Sequence, residues 1–404
     1  MSSALSTLPQ LVIKPRRALP LFHRHPWVFS SALAPSESEP EPGAEVAVHA
    51  HDGQFIARGL FNPHSQMRVR LYTWDEGTAL DRDFWSRRID EALELRQRLF
   101  PAGESQIACR LINSEGDQLS GLTVDRYGDW LIVQLTSLAL AQRQEMLLEL
   151  LREKLQPRGI WLRTEKGIRS AEGLEQADGL LWGEPPPRPL FIEENGLRYG
   201  LDLVEGQKTG YYLDQRDNRR FISQYVAGHK VLDLFCYHGG FGLNCVKHGA
   251  AREVLAVDVS ESALTLAKAN ADLNGLSERM RFRKQDGFKA LEELAAEGGE
   301  LFDTVILDPP KMARNKAGVD AALRGYYSLN RLAMDVLKPG GWLLTCSCSG
   351  HVTREMFLEV LAKAAVHAGR HLQILEIRGP AADHPRSATC SEADYLKCVF
   401  CRVV

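Results

Sequence analysis

From Gly228 to the carboxyl terminus, short apolar runs alternate with amphipathic stretches, and this alternation restricts the fold more than any other feature. KVLDLF, EVLAVDV, MRFRKQD, FDTVILD, GWLLTCSC, LQILEI and YLKCVFCRVV read as strands, with helical stretches between the first six. Parallel strands need long crossovers, so strands separated by helices predict a parallel, doubly wound sheet with right-handed connections. GPAADHPRSATCSEAD, between the last two strands, lacks helical periodicity, so the final strand is expected to insert antiparallel. No internal repeat of the solenoid kind is present.

A chain of 404 residues is long for one domain, and the usual domain size of ~100–200 residues suggests two or three. Between Leu11 and Trp74, Glu45–His49 and Gln54–Leu60 alternate apolar and polar residues around the turn former Asp52-Gly53. MRVRLYTW adds another alternating run, so residues 1–80 are expected to form a small all-β domain. Residues 81–202 mix helices, such as FWSRRIDEALELRQRLF with Phe84, Ile89, Leu93 and Leu99 at helical spacing, with strands such as DWLIVQL and GIWLRT. They read as an α+β middle domain before the α/β domain of residues 203–404.

Composition narrows the function. A net charge of −3 and a pI near 6.5 exclude a polybasic protein that coats nucleic acid through its global field; RNA binding would rest on local basic patches. MSSALSTLPQLVIKPRRALPLF is broken by Pro and charge before an export signal can form, and no run approaches the ~18–20 apolar residues of a membrane helix. The eight cysteines accordingly read as reduced thiols, and the expected compartment is the cytoplasm.

Chemistry concentrates at the strand ends. VLDLFCYHGGFG carries Asp233, Phe235, Gly239, Gly240 and Gly242 between the first strand and its helix, where small residues let backbone approach a ligand. The spacing is not that of a dinucleotide pyrophosphate loop. Asp258 ends the second strand, where an acid can accept both hydroxyls of a ribose. Asp286 ends the third, within reach of an adenine amino group, and Asp308 opens DPPK after the fourth. Each acid alone could instead cap the following helix; one at each of four successive strand ends argues for a shared crevice. TCSCSG ends the fifth strand, with Cys346 and Cys348 at period two and thus expected on one face. Cys398 and Cys401 form a CxxC, but within a strand they face opposite ways, so no metal is expected there. Cys109, Cys236, Cys245 and Cys390 read as packing or incidental.

Over Gly228–Val404 these motifs resemble the class I S-adenosylmethionine methyltransferases. The resemblance implies the Asp233–Gly242 turn around the methionine part, Asp258 on the ribose and Asp286 near the adenine. With EGQKTGYYLDQRDNRR, LDPPK and LTCSCSG, nearly the whole chain resembles the bacterial large-subunit ribosomal RNA cytosine-5 methyltransferases that carry an N-terminal PUA domain. That family implies cofactor contacts from Lys208, Thr209, Gly210, Tyr212 and Asp214, and Leu11–Trp74 as a PUA barrel that binds RNA. Lys14, Arg16, Arg17, His23, Arg24 and His25 suit phosphate contact there, while Trp27 and Phe29 suit core or stacking. Lys208, Arg216, Arg219 and Arg220 are expected to bring positive charge to the crevice rim.

Cytosine carbon 5 is too poor a nucleophile to take a methyl group unaided; a thiolate adding to carbon 6 turns it into an enamine. Cys348 follows Gly340-Gly341 by the spacing that the resemblance to RNA cytosine-5 methyltransferases implies for the nucleophile, with Cys346 the second choice. Asp308 would bind the base, and Lys311 would lower the thiol pKa or contact phosphate. Lys311 stands where exocyclic-amine methyltransferases carry a stacking aromatic, and where better-known cytosine-5 enzymes carry a second cysteine. Product release therefore needs another base or water. Two further readings stay open: an rRNA methyltransferase acting on guanine or another nitrogen, and a catalytically inactive PUA-bearing RNA-binding protein. Neither requires a membrane, and a homodimer is compatible with all three.

Overall fold

The computed structural model describes residues 8–36, 38–100, 108–206, 209–296, 298 and 301–404. They form two compact units: Met1–Arg188 with Leu203–Tyr211 and Asp383–Ala393, and Pro189–Asp202 with Tyr212–Ala382 and Asp394–Val404. Among the described residues, no helix is long and apolar enough to cross a membrane.

The first unit holds two five-stranded sheets. One orders its strands Gln10–Val12, Glu45–His49, Phe55–Phe61, Met67–Thr73 and Trp27–Phe29. The expected alternation around Asp52-Gly53 is thus a real hairpin, paired antiparallel from Glu45↔Leu60 to His49↔Phe55. The other orders Gly179–Gly183, Gly159–Leu162, Trp130–Leu135, Leu122–Tyr127 and Ala108–Asn113. Helix Arg82–Leu99 starts at Asp81, whose carboxylate accepts the Phe84 N–H at 2.9 Å.

Residues 1–80 and 81–188 fall in one compact unit with two apolar clusters, one inside the N-terminal sheet (Val28, Val46, Val48, Ile56, Val69) and a second to which that sheet contributes. Leu60 and Tyr72 belong to one apolar cluster with Phe84, Trp85, Ile89, Ile112 and Leu150. Tyr72 meets Trp85 edge-on at 4.9 Å and donates its hydroxyl to Ser120 O at 2.7 Å. The buried Arg70 guanidinium lies 3.2 Å from the buried Glu172 carboxylate. The hairpin Leu190–Glu194 and Leu197–Leu201, at the end of the expected middle domain, belongs to the second unit instead. There Asn244 donates to the Tyr199 hydroxyl at 3.2 Å and Gly200 N to Asn270 at 2.7 Å.

The second unit is built on seven strands: β1 (Lys230–Leu234), β2 (Glu253–Asp258), β3 (Met280–Lys284), β4 (Phe302–Leu307), β5 (Leu337–Ser347), β6 (Leu372–Arg378) and β7 (Lys397–Val403). Their order is β3-β2-β1-β4-β5-β7-β6. β1 to β5 pair in parallel, and β7 inserts antiparallel between β5 and β6, as expected. Connections run through α1 (Gly240–Lys247), α2 (Glu261–Leu273), α3 (Gly287–Ala296), α4 (Val319–Asp335) and α5 (Arg354–His367). Helices over both faces bury the central strands completely, which is why they read as near-continuous apolar runs (Val231, Leu232, Leu234; Val305, Ile306, Leu307).

Because Leu60 and Tyr72 of the N-terminal sheet pack into the cluster around Trp85, truncating that aromatic should destabilise both sheets together. Trp85→Ala is expected to cost about 3–5 kcal/mol, as large aromatic deletions do. Urea denaturation followed by circular dichroism checks this; loss of the N-terminal sheet with the second sheet intact would show two independent cores.

Candidate functional site

Register brings the strand ends to one level. Leu234 on β1 pairs with Val257 on β2 and with Leu307 on β4, and Leu307 pairs with Thr345 on β5. The residues that follow each pair therefore leave the sheet along one edge, and a crevice there is a consequence of parallel pairing.

Asp233 sits at the floor. It is fully buried; Oδ2 accepts the Gly242 N–H at 2.9 Å, and Oδ1 has no hydrogen-bond partner among the described residues. Burial pushes its carboxyl up to about 7, with Asp308 and Asp258 adding and the Gly242 N–H and Arg219 opposing. Gly242 is required: a Cβ there would lie 2.9 Å from Met280 Cε and 3.2 Å from Asp233 Oδ2. Between them the chain takes a costly path, with Phe235 and Tyr237 at φ 62° and 49°. Such non-glycine residues persist only where neighbours dictate the conformation. The Phe235 ring covers Gly287, whose added Cβ would be 2.5 Å from Cζ. Tyr237 donates its N–H to Asp258 Oδ2 at 2.9 Å, and its ring stacks on His238 and meets Tyr212 edge-on at 5.2 Å. Gly239 turns at φ +79° to start α1, directly before Gly240.

The acids divide on the capping question. Asp258 does not cap α2; Ser260 does, accepting from Ala263 N at 3.2 Å, while Asp258 holds the turn through Tyr237 N and Ser260 N. Asp286 does cap α3, since Oδ1 accepts the N–H groups of Phe288 and Lys289.

Asp308 is half-buried and oriented by a relay: Arg378 Nε donates to Asn218 Oδ1 (2.9 Å), Asn218 Nδ2 to Gln215 Oε1 (2.7 Å), and Gln215 Nε2 to Asp308 Oδ1 (3.0 Å). Cys348 is the one thiol of eight that is not buried, and its Sγ donates to Pro309 O at 3.7 Å. Cys346 does not share its exposure. β5 stops at Ser347, so Cys348 lies on the following turn, whereas Cys346 is 0% exposed opposite Cys398. Bonding to Cys398 and burial push the Cys346 thiol well up, so this site lacks the accessible thiolate that the second choice of nucleophile needed. Burial also raises the Tyr212 hydroxyl, with Tyr237, Asp308 and Cys348 adding to the effect, which marks these groups as neighbours. Lys311 is exposed beside the two prolines.

Two supports were not singled out from the sequence. Ser349 Oγ accepts from Met312 N (3.1 Å) and Ala313 N (3.0 Å) and bonds the Tyr326 hydroxyl (3.1 Å), tying the DPPK loop to the cysteine turn. Lys397, 2% exposed, donates to Ser349 O at 2.8 Å and Tyr395 O at 2.9 Å. The available signals were a serine within TCSCSG and a lysine directly before the apolar run CVFC.

The remaining residues fall unevenly. Asp214 is buried, with Oδ2 accepting the Tyr395 hydroxyl at 2.7 Å. Thr209 and Gly210 belong to the first unit, where the Thr209 and Tyr127 hydroxyls are 3.4 Å apart and Gly210 turns at φ +114° against Leu203. Lys208 lies outside the described residues. Arg216 and Arg219 are not rim charges: both are buried, and Arg219 pairs with Glu194 at 2.8 Å because a buried guanidinium needs a carboxylate partner. Arg220 is exposed. In the first unit Lys14, Arg16, Arg17, His23 and Arg24 are exposed. His25 is half-buried, its ring 3.4 Å from Glu392 and bonded to Trp27, so it does not face solvent freely. Trp27 is held in the unit by Glu115 at 3.0 Å; Phe29 is exposed.

Residues 168–386 match the family model described as S-adenosylmethionine-dependent methyltransferase, and residues 11–74 match a PUA-like domain. A protein named ribosomal RNA large subunit methyltransferase I from Tolumonas auensis is 44% identical over 95% of this chain and 96% of its own. Its namesake from Shewanella amazonensis is 43% identical over 98% and 99%. The chain belongs to this S-adenosylmethionine-dependent methyltransferase family. Solved structures agree on the fold: a methyltransferase complexed with SAH superposes with a TM-score of 0.85 at 21% identity, covering 98% of this chain and 100% of that one. A SAM-dependent methyltransferase from Streptococcus mutans gives 0.84 at 20% identity, with 98% and 100% covered.

The methyltransferase crevice fits its cofactor on its own geometry. The unpartnered, buried Asp233 oxygen suits an ammonium group, and Gly239 supplies the positive φ that the turn before α1 needs. Asp233 also predicts a trade between stability and binding. A carboxyl raised from 3.8 to about 7 favours the fold fully below pH 3.8, and that contribution is lost as pH rises through 7. Asp233→Asn should therefore raise the melting temperature of the free protein at pH 8, with little change at pH 4, while weakening S-adenosylmethionine binding at least about tenfold. Calorimetric melts and titration calorimetry on the same samples test both halves.

Proposed function

We propose that this methyltransferase methylates carbon 5 of a cytosine in large-subunit ribosomal RNA, through a covalent adduct with Cys348. The relatives' names supply the RNA class. The observation that carries the chemistry is the single unburied thiol of the chain, beside the DPPK loop and beyond the end of β5.

S-adenosylmethionine, when bound, supplies a methyl group on a positively charged sulfur. Asp233, Phe235, Gly239, Gly240 and Gly242 would hold its methionine end, with Tyr212 and Asp214 alongside, Asp258 its ribose and Asp286 its adenine. Lys208, Thr209 and Gly210 are carried as cofactor residues on the family resemblance alone. The Cys348 thiolate adds to carbon 6 of the cytosine, forming an Sγ–C6 bond and moving the ring electron pair to carbon 5. Asp308, held by Gln215, bonds the base edge and assists protonation of the ring nitrogen. Carbon 5 then takes the methyl group. Its proton leaves to water, and the Sγ–C6 bond breaks to restore the ring and the thiol. No second cysteine follows Pro310, so water or another base takes that proton; Lys311, exposed at that point, is free to contact phosphate. A base inside a helix cannot reach such a thiol, so the target is extruded or already unpaired.

Cys348→Ala should abolish cytosine methylation by at least about a thousandfold, while Cys346→Ala keeps it. RNA carrying 5-fluorocytosine should trap the wild-type enzyme as a denaturation-resistant adduct, because fluorine cannot leave carbon 5 as the proton does. Full activity in Cys348→Ala, or methylation on a ring nitrogen, would reject the reading.

The exposed basic residues of the PUA-like domain serve as phosphate contacts, which position RNA without reading its bases. Replacing Lys14, Arg17 and Arg24 with Glu should weaken binding to all RNAs alike. It should also make the salt dependence shallower, by a slope of about one for each phosphate no longer neutralised. Filter binding across a salt series measures both.

A further inference from the structure

A fully buried lysine inside an apolar strand has to be explained, because an ammonium costs several kcal/mol to bury without compensation. Lys397 opens β7, paired with Ser347 at the end of β5, and its Nζ donates to Ser349 O at 2.8 Å and to Tyr395 O at 2.9 Å. Both acceptors are neutral carbonyls. They take two of its three N–H donors and do not neutralise the charge.

We propose that Lys397 is a positioning residue whose ammonium, fixed beneath the Cys348–Ser349 turn, stabilises the Cys348 thiolate. The catalytic consequence rests on the reading of Cys348 as the nucleophile. The charge reaches the sulfur through the same turn that carries it. Ser349 is anchored on its other side by Met312 N, Ala313 N and the Tyr326 hydroxyl, so the sulfur and the ammonium cannot drift apart without breaking four hydrogen bonds.

The surrounding groups decide the sign. Lys397 faces Asp394 from its own end of the strand, Arg354 from α5, and Cys348. Burial lowers its ammonium to about 8, with Asp394 and Cys348 opposing that and Arg354 adding to it, so it stays protonated at pH 7. Tyr212 and Tyr326 each feel both Asp308 and Cys348, so these groups share one neighbourhood, in which a carboxylate disfavours a thiolate. Lys311 nearby is exposed, so solvent screens it. Among the described residues, Lys397 is a buried positive charge bonded to this turn, and it offsets Asp308. When the thiol ionises its proton leaves to solvent, and Lys397 keeps its own until the pH passes 8.

The test is iodoacetamide alkylation of Cys348 between pH 5.5 and 10, read by peptide mass spectrometry, in the wild type, Lys397→Met and Lys397→Arg, with thermal melts on each. Lys397→Met should move the alkylation midpoint up by about one pH unit, a roughly tenfold lower thiolate fraction at neutral pH. Lys397→Arg should stay near wild type. An unchanged midpoint in a normally melting Lys397→Met overturns the proposal. If that variant does not fold, Lys397→Gln takes its place: a midpoint raised above wild type supports the proposal, and an unchanged one overturns it. Trapping by 5-fluorocytosine RNA should slow in Lys397→Met at pH 7 and recover at pH 9, with RNA affinity unchanged. Were Cys348→Ala to remain active, the nucleophile assignment would fall, yet the alkylation midpoints would still decide whether the lysine tunes the thiol.

Discussion

Parallel pairing at the centre of the second unit is the constraint on which its chemistry depends. Leu234, Val257 and Leu307 share one level through β1, and Leu307 passes that level on to Thr345. Every group of interest then follows within a few residues of that line: Phe235, Asp258, Asp308, Cys348. A slip of one residue in any pair would exchange buried and crevice-facing side chains along the whole strand. The apolar contacts of Val231, Leu232, Val305, Ile306 and Leu343, all fully buried, penalise such a slip heavily. Core packing thus sets the alignment of the polar groups.

Stability is given up locally in return. Asp233 keeps an unpartnered oxygen in the interior, and Phe235 and Tyr237 hold left-handed backbones. These cluster within five residues of one loop, and the rest of the unit offsets them with extensive apolar burial. The same logic reaches the thiol end, where Ser349 ties two loops together and so keeps Cys348 in register with Asp308.

Much of this was legible in the residues. Helical and apolar alternation foretold all seven strands and the antiparallel insertion of β7, because parallel connections need helices and GPAADHPRSATCSEAD forms none. The acids at the strand ends were legible for the same reason. The packing of the first segment on the second was not. Alternation reports which face of Tyr72 is buried, not that Trp85 from the next segment covers it. Charge was misread at Arg216 and Arg219, since a partner as distant as Glu194 leaves no mark on local spacing. Period two put Cys346 and Cys348 together, but the strand ended between them. Gln215 and Lys397 act through contacts across elements, which no window of sequence displays.

The assignment of Leu203–Tyr211 and Asp383–Ala393 to the first unit has a consequence for how the protein is inherited. The backbone passes from one unit to the other five times, after Arg188, Asp202, Tyr211, Ala382 and Ala393. Asp383 alone illustrates the interdependence: it accepts from Arg110 N at 2.9 Å and from Arg96 at 2.8 Å, deep in a unit whose first segment ends at Arg188. No single cut in the gene yields either half complete. Recombination cannot move the first unit whole as a single segment, and its last stretch, Asp383–Ala393, leaves the ribosome only after most of the second unit.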